Sequence, residues 1–259
     1  MQSRAKLSQL TYLIGSGKGG VGKSTVAVNL AVALAKKGLA VGLLDADLYG
    51  PSIPIMMGLR RLTPHIDVDK AGGETITPFY KFGVKIASLG FFMEEARSIV
   101  WRGPMLHATL QKFVQNVFWG HLDILLIDLP PGTGDVPLSL SQLLRIDGAL
   151  VVSTPQEVAI LDVVKVLNAF YQLDIPLIGL IENMAPFVAP DTGHKYALFG
   201  EGKVAELAQR FETSLLGSIP FHPMTRIGGD EGFPVALHDN AAGTPFHLLA
   251  EQLLEYASI

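Results

Sequence analysis

One glycine-rich stretch constrains this chain more than any other feature. Residues 17–24 read Gly-Lys-Gly-Gly-Val-Gly-Lys-Ser, which matches the phosphate-loop pattern G-x-x-x-x-G-K-[ST] at every required position. An apolar run at 10–14 predicts a strand before it, and an apolar stripe over 24–37 predicts a helix after it. Glycines let backbone N–H groups turn inward around an anion, and the helix points its positive dipole end at the same place. The stretch therefore predicts a nucleoside triphosphate site.

Residues of this loop are expected to share the work of nucleotide binding. The Lys23 ammonium supplies charge for the β- and γ-phosphates, so we count it among the catalytic residues, and the Ser24 hydroxyl is a hard oxygen ligand for Mg²⁺. The predicted contacts to the nucleotide in the loop are Gly17, Lys18, Gly19, Gly20, Val21, Gly22, Lys23, Ser24 and Thr25.

Acidic residues follow two further apolar runs. Asp128 comes after residues 124–127 and has the position of a Walker B carboxylate that holds Mg²⁺, although a turn or helix-cap role fits the same pattern. Asp45 and Asp47 follow residues 40–44, at the carboxyl end of a predicted strand, where open α/β sheets bind ligands. One of this pair is expected in the Mg²⁺ shell and the other beside the attacking water, and the residues alone leave the assignment open.

Two residues further along complete the predicted site. Gly132, in a Pro-Pro-Gly-Thr-Gly segment, has a backbone N–H suited to a γ-phosphate, and its neighbours suit a switch that rearranges on hydrolysis. Asn183 follows a strand predicted at 177–182, and its amide both donates and accepts hydrogen bonds, as the edge of a base requires.

Composition limits the class of protein. A chain of 259 residues with 49% apolar residues is long enough for one large domain, and no apolar run reaches the ~18 residues that a membrane span needs. Residues 1–6 lead directly into the first strand, so we expect no signal peptide, no membrane partner and a cytoplasmic location. The net charge of −4 predicts no nucleic-acid partner, and the absence of cysteine excludes disulfides and thiolate ligands from this chain.

The order of apolar patterns predicts an α/β fold, a single doubly wound domain with a mostly parallel sheet over residues 1–259. Thr154, Pro155 and Glu157 read as N-cap, N1 and N3 of a capping box, and residues 48–54 as a mobile loop. Strands are predicted at 10–14, 40–44, 75–78, 84–89, 123–128, 148–153, 177–182 and 214–219, and helices at 24–37, 94–99, 106–117, 155–170, 202–211 and 246–256.

A second lysine in the loop carries the first family resemblance. With Lys18, the loop reads Lys-Gly-Gly-x-Gly-Lys-[ST], which resembles the deviant Walker A motif of the MinD/ParA/nitrogenase-iron-protein class within the SIMIBI P-loop NTPases. The resemblance implies a nucleotide-sandwich homodimer in which Lys18 is catalytic and reaches the partner's phosphates, much as an arginine finger does.

Further motifs span nearly the whole chain: Asp-Ala-Asp-Leu-Tyr-Gly-Pro-Ser-Ile-Pro at 45–54, Trp-Arg-Gly-Pro-Met at 101–105, Asp-Leu-Pro-Pro-Gly-Thr-Gly-Asp at 128–135, Glu-Asn-Met at 182–184, Leu-Phe-Gly at 198–200 and Gly-Ser-Ile-Pro at 217–220. As a set they resemble one family more closely, the Mrp/ApbC/Nbp ATPases that carry or help to assemble iron–sulfur clusters. This resemblance implies ATP and Mg²⁺ as cofactors, Asp47 as the catalytic residue beside the water, Asp45 on the metal side, and Asn183 with the Pro220 backbone around adenine.

The chain departs from this family at residues 189–193. The family has Cys-Pro-x-Cys-Gly there, and one such pair from each subunit bridges a cluster, whereas this chain has Ala189 and Thr192 at the two ligand positions. Thiolates are the usual ligands of these clusters, so we expect no iron–sulfur cluster bound in the family's mode. Either the chain is a cluster-free descendant that keeps the ATPase, or its cysteines have been replaced.

The expected function is a Mg²⁺-dependent ATPase of the Mrp type, acting in or derived from cluster assembly, with its own second copy, assembly proteins or apo-protein clients as partners. One alternative is a positioning switch of the MinD or ParA kind, although residues 247–256 lack the Lys and Arg of a membrane-binding helix. The other is a metal-insertion ATPase, although the seven histidines are scattered along the chain.

Overall fold

The computed structural model describes residues 4–92, 103–189 and 191–258. Its strands are β1 (Leu10–Ser16), β2 (Val41–Asp45), β3 (Ile66–Val68), β4 (Glu74–Ile76), β5 (Phe79–Lys81), β6 (Val84–Ser88), β7 (Ile124–Asp128), β8 (Gly148–Ser153), β9 (Leu177–Val188), β10 (Lys195–Tyr196) and β11 (Ser214–Phe221). Its α-helices are α1 (Lys23–Lys36), α2 (Ile53–Met56), α3 (Gly103–Asn116), α4 (Asp135–Leu143), α5 (Glu157–Gln172), α6 (Lys203–Arg210), α7 (Pro223–Glu231) and α8 (Thr244–Ala257).

A mostly parallel sheet forms the centre of the fold. Its strand order is β10-β9-β8-β1-β7-β2-β6-β5, and β11 pairs with β9 in parallel. Antiparallel pairing occurs only at the margins of the described sheet, between β5 and β6 and between β9 and β10. The predicted mostly parallel α/β architecture is confirmed, and a small ribbon of β3 and β4 lies outside the main sheet.

Helices cover both faces of this sheet, because the central strands are apolar on both sides. In β1, Ile14 belongs to the core that α1 and α8 cover, whereas Leu13 belongs to the core of α3, α4, α5 and α6. Phe246 of α8 and Phe170 of α5 are fully buried, one in each core. Within the described ranges, no helix is both long enough and apolar enough to cross a membrane.

The pairing register brings the predicted site residues to one edge of the sheet. Asp45 of β2 lies opposite Asp128 of β7, and Ile14 of β1 lies opposite the same Asp128 on the other side. Ser16 lies opposite Val152 of β8, so the chain leaves β1 and β8 side by side. Parallel strands end at the same edge, which is why residues more than a hundred positions apart meet here.

Several predicted elements differ from the observed ones. The capping box is wrong: Gln156, in extended conformation, is the N-cap of α5 without a side-chain bond, and the Thr154 hydroxyl is buried without a partner. Residues 48–54 were predicted as loop, but α2 begins within them at Ile53. The strand predicted at 75–78 overlaps β4 at Thr75 and Ile76 and ends before β5 begins at Phe79, and β3, β5, β10, α4 and α7 were not predicted. The helix predicted at 94–99 lies outside the described residues.

Gly17 fixes the distance between the loop after β1 and helix α5. A Cβ placed on Gly17 would lie 2.5 Å from the backbone carbonyl carbon of Asp162 and 2.5 Å from the backbone nitrogen of Val163. A backbone contact of this kind has no flexible end that can turn away. In contrast, a Cβ on Gly19 would have no atom within 4 Å. Glycine at position 17 is therefore needed for packing.

We expect Gly17→Ala to lower the free energy of unfolding by about 1–3 kcal/mol, because α5 must shift to accept the methyl group. The matched control Gly19→Ala should stay within about 0.5 kcal/mol of the wild type. Urea denaturation of the nucleotide-free protein measures both values. Equal stability of the two variants would contradict the packing role of Gly17.

Candidate nucleotide site

The loop between β1 and α1 has an unsatisfied helix start. Gly20 and Gly22 have φ of 81° and 85°, in the left-handed region that glycine adopts without strain. Gly22 is the N-cap of α1, and it has no side chain to accept a bond from the first N–H groups of that helix. These N–H groups are therefore free of a side-chain cap, as an anion-binding helix start requires.

A cleft of about 380 Å³ opens over this loop. Most of the phosphate-loop residues that line the cleft are among the predicted nucleotide contacts. Of the predicted carboxylates, Asp47 lines the cleft. Its walls are Ser16, Lys18, Gly19, Gly20, Gly22, Lys23, Ser24, Thr25, Asp47, Gly50, Ser52, Met56, Pro131 and Met184. The mixture of backbone donors, two lysines and a carboxylate fits a charged ligand with many oxygen atoms.

Lys23, Ser24 and Asp128 form a tight cluster at the base of the cleft. The Lys23 ammonium lies 2.7 Å from Asp128 Oδ1, and the Ser24 hydroxyl donates to Asp128 Oδ2 at 2.6 Å. Lys23 Nζ is also 3.7 Å from Asp47 Oδ2. Lys23 is 6% exposed and Asp128 is fully buried, so both charges depend on each other for stabilisation.

The two aspartates after β2 have different surroundings. Asp47 directs one oxygen toward Lys23, while its Oδ1 accepts the backbone N–H groups of Tyr49 and Gly50. Asp45 is fully buried behind the cleft: its Oδ1 accepts the N–H of Asp47, and its Oδ2 accepts the Ser88 hydroxyl at 2.9 Å. Asp45 therefore braces the turn that carries Asp47.

Burial changes the ionisation of the inner carboxyl groups. Removal from water raises the pKa of Asp45 to about 8, and the neighbouring Asp128 carboxylate raises it further, against the lowering effect of the Ser88 hydroxyl. Burial also raises the pKa of Asp128, while the Lys23 ammonium and the Ser24 hydroxyl act in the opposite direction. One cation thus faces several carboxyl groups in a dry environment.

Lys18 contacts a residue that was not predicted to belong to the site. Its Nζ donates to Oε1 of Gln156 at 3.1 Å, and its carbonyl accepts the Ser16 hydroxyl at 3.1 Å. Gln156 lies between Pro155 and Glu157 of the predicted capping box, a pattern that gives it no role at the site. Met56, Met184 and Ser88 also border the site without having been predicted, because their residue types carry no sequence signal for it.

The remaining predicted residues lie at the same edge but already have partners. The Gly132 N–H donates to the Ser16 carbonyl at 2.8 Å. Asn183 is buried, donates to the Val21 carbonyl at 2.8 Å, and packs so close to Gly22 that a Cβ there would lie 2.1 Å from its Nδ2. Pro220 lies in β11 next to Ile219, which pairs with Asn183.

Hydrogen bonds connect Ala189 to the residues after Thr192, the two positions where the family has cysteine. The Gly193 N–H donates to the Ala189 carbonyl at 2.8 Å, and the Ala189 N–H donates to the His194 carbonyl at 2.9 Å. Ala189 is buried, whereas Thr192 is exposed and its hydroxyl accepts the His194 N–H. Among the residues that the structure describes, no group of three or more His, Cys, Asp or Glu has the arrangement of a metal site.

Asp45→Asn should remove a pH dependence from the stability of the nucleotide-free protein. Between the ordinary pKa of 3.8 and about 8, the folded state keeps a proton that the unfolded state loses, so wild-type stability falls as pH rises. The advantage of Asp45→Asn over wild type should therefore grow across that window, by up to about 1.4 kcal/mol per pH unit. Urea denaturation at several pH values measures it, with the exposed Asp191→Asn as a control. A pH-independent difference would show that Asp45 is not held protonated.

Comparison with known proteins places the chain in a family. A ParA family model, described as NUBPL iron-transfer P-loop NTPase, matches residues 8–254. The iron-sulfur cluster carrier protein of Aquifex aeolicus is 49% identical over 240 residues, which are 92% of this chain and 65% of that relative. The mouse iron-sulfur cluster transfer protein NUBPL is 45% identical over 228 residues, which are 86% of this chain and 69% of the relative.

Solved structures give the same fold. A nucleotide-binding protein from Archaeoglobus fulgidus in complex with ADP is 38% identical, with a TM-score of 0.77 over 90% of each chain. The cell-division ATPase MinD of Pyrococcus furiosus has a TM-score of 0.68 at 21% identity over 95% of this chain and 99% of its own, a likeness of fold alone. By its sequence match over residues 8–254 and its phosphate loop, the chain belongs to the ParA/NUBPL family of iron-transfer P-loop NTPases.

Proposed function

We propose that this chain is a Mg²⁺-dependent ATPase in which ATP binding joins two copies and hydrolysis separates them. Family membership supports nucleotide hydrolysis in general, and the ADP in the Archaeoglobus relative supports an adenine nucleotide. The observation that carries the proposal is the cluster of Lys23, Ser24 and Asp128 beneath an uncapped helix start. This cluster supports the proposal because it brings a cation, a hydroxyl and a carboxylate together beside the helix start, and a triphosphate with its metal would use all three.

The donor set at this point fits Mg²⁺. Ser24 and Asp128 offer two hard oxygen atoms within 2.6 Å of each other. Magnesium in nucleotide sites takes few protein ligands, and water and phosphate oxygens complete its shell. When bound, the ion would neutralise charge on the β- and γ-phosphate oxygens. Ser24 and Asp128 would hold it, and Asp45, which was predicted on the metal side, would act from behind the cleft by supporting the turn that carries Asp47.

Binding of a triphosphate requires this cluster to exchange partners. The first N–H groups of α1 donate to the phosphate oxygens, and the Lys23 ammonium moves from Asp128 to the phosphate oxygens. Asp47, whose carboxylate already faces the cleft near Lys23, orients the attacking water. Gly132 gives its N–H to the γ-phosphate only after it leaves the Ser16 carbonyl, so phosphate binding and movement of the following segment are one event.

Asn183 is proposed to meet the adenine edge. Its Nδ2 already donates to the Val21 carbonyl, which leaves Oδ1 as an acceptor for the exocyclic amino group of adenine. Pro220 lies on the neighbouring strand at the same edge and would contribute its backbone nearby. The same side chain thereby ties the base to the phosphate loop.

The proposal also covers the partner proteins of this chain and its relation to iron–sulfur clusters. The relatives carry or transfer iron–sulfur clusters according to their names, and the chain spans about 65% of the length of the Aquifex relative. We propose that this chain shares their ATP-driven dimer and acts with cluster-assembly proteins or apo-protein clients. It has no cysteine, and neither the Ala189 methyl nor the Thr192 hydroxyl replaces a thiolate, so we propose that it binds no cluster in the family's mode.

Substitution of the two loop lysines should have different effects, one on nucleotide affinity and the other on the rate of ATP turnover. Lys23→Ala should weaken binding of Mg-ATP by about 100-fold or more, because it removes a charge-assisted contact to phosphate. Lys18→Ala should keep the affinity within about threefold but lower ATP turnover by at least about 100-fold, as the loss of a finger residue does. Calorimetry and phosphate release measure the two effects. Lys165→Ala, on the surface of α5, is the control, and unchanged turnover in Lys18→Ala would refute the role in trans.

Restored thiols should restore cluster binding. After anaerobic reconstitution with iron and sulfide, the wild type should show no cluster absorption, whereas the double variant Ala189→Cys/Thr192→Cys should bind about one cluster per two chains, since four cysteines ligate one cluster. The matched control Ala189→Ser/Thr192→Ser keeps the size and lacks the thiolates. A cluster in the wild type, or none in the cysteine variant, would contradict this part of the proposal.

A further inference from the structure

The two lysines of the phosphate loop are held in different ways. Lys23 is buried between carboxylates, with Asp128 at 2.7 Å and Asp47 at 3.7 Å. Lys18 is half-buried, and within the described part of the chain it forms no ion pair; its ammonium donates to the amide oxygen of Gln156. A neutral acceptor holds a cation less strongly than a carboxylate does, so Lys18 is the more easily released of the two.

The fold brings Gln156 to Lys18 by packing. The chain leaves β1 and β8 side by side, because Ser16 pairs with Val152. The backbone of α5 then approaches the loop at Gly17, where only a residue without Cβ fits. Backbone packing on both sides therefore brings together the two segments that carry Lys18 and Gln156, which are 138 positions apart, and their side chains complete the contact at 3.1 Å.

Gln156 is free for this contact because it does not cap its own helix. It stands at the N-cap of α5 with extended backbone, and its side chain accepts no bond from the helix start. Next to it, the hydroxyl of Thr154, which the sequence pattern favours as the cap, is buried and unpartnered. The usual preference for a threonine N-cap is not followed at this turn. Departures from local preferences are expected where a residue has a role in a functional site.

We propose that Gln156 is a positioning residue that holds Lys18 within its own chain until a second, nucleotide-loaded copy competes for the lysine. This inference rests on the proposed function, in which Lys18 acts on the partner's phosphates. A chain whose Lys18 is bound to Gln156 is not competent to dimerise, so the contact lowers the fraction of competent chains. The apparent affinity of dimerisation falls in proportion to that fraction. Because the Gln156 amide is a neutral acceptor, the charged phosphate oxygens of the partner's nucleotide bind Lys18 more strongly and displace it.

Acylation of lysines by an amine-reactive ester, quantified by mass spectrometry on the nucleotide-free protein, tests the contact directly. Gln156→Ala should raise the labelling rate of Lys18 at least about threefold, because the lysine loses its hydrogen-bond partner and meets the reagent freely, and the isosteric Gln156→Glu, which offers a charge-assisted bond, should lower it at least about threefold. Labelling of Lys165, exposed on the same helix, normalises the rates. Lys18 labelling that is equal in all three proteins would overturn the proposal.

The neighbouring residue provides a matched control. Glu157 is exposed and pairs with Lys203 at 3.1 Å, so Glu157→Gln should raise labelling of Lys203 and leave Lys18 unchanged. An increase at Lys18 in this variant equal to that in Gln156→Ala would show that the labelling reports helix fraying, and it would overturn the proposal.

Specific ATPase activity measured against protein concentration tests the consequence. Gln156→Glu should raise the concentration for half-maximal activity at least about fivefold and Gln156→Ala should lower it, both with unchanged affinity for Mg-ATP. A lower maximal rate in Gln156→Ala at an unchanged half-maximal concentration would assign Gln156 to the chemical step and overturn the hold. Absence of ATPase activity in the wild type would refute the proposed function, while the labelling would still decide whether Gln156 holds Lys18.

Discussion

The buried contact between Lys23 and Asp128 is the interaction on which this site depends. Asp128 is fully buried, and Lys23 at 2.7 Å is the cation that offsets its charge, whereas Asp45 on the adjacent strand is buried with its pKa raised to about 8. Removing one partner of such a pair leaves an uncompensated charge and costs about 3–5 kcal/mol. The sheet therefore keeps Asp128 buried because the phosphate loop supplies a cation, and the loop in turn keeps Lys23 in place because Asp128 and Asp47 supply acceptor oxygens.

The groups that a triphosphate would need are satisfied within the chain. Lys23 rests on Asp128, Lys18 on Gln156, and the Gly132 N–H on the Ser16 carbonyl. Each contact replaces one that a phosphate oxygen would offer. In the proposed function, binding of a triphosphate is therefore an exchange of partners, which would couple the occupancy of the cleft to the positions of the segments after β1, β7 and β8. A site built in this way fits a switch, since a ligand moves an equilibrium only by interacting differently with its two states.

Much of the architecture and the centre of the site could be predicted from sequence. The phosphate loop is a local pattern, and parallel strands buried on both faces appear as apolar runs with functional residues at their carboxyl ends. Helices α4 and α7 escaped prediction because Pro137 and the Gly228-Gly229 pair lower helix propensity, and tertiary packing stabilises them. The capping box predicted before α5 is wrong because the path of the chain out of β8, which ends at Ser153, determines where the helix begins, and the local pattern of residue types does not. The contact of Lys18 with Gln156 joins distant residues, and no local pattern indicates it.

Sedimentation velocity of the wild-type protein with Mg²⁺ tests the central claim most directly, that triphosphate occupancy of this cleft joins two copies of the chain. With a non-hydrolysable ATP analogue, the account predicts a shift from monomer to dimer, and with ADP it predicts that the protein stays a monomer. The same sedimentation coefficient in both nucleotides would contradict it.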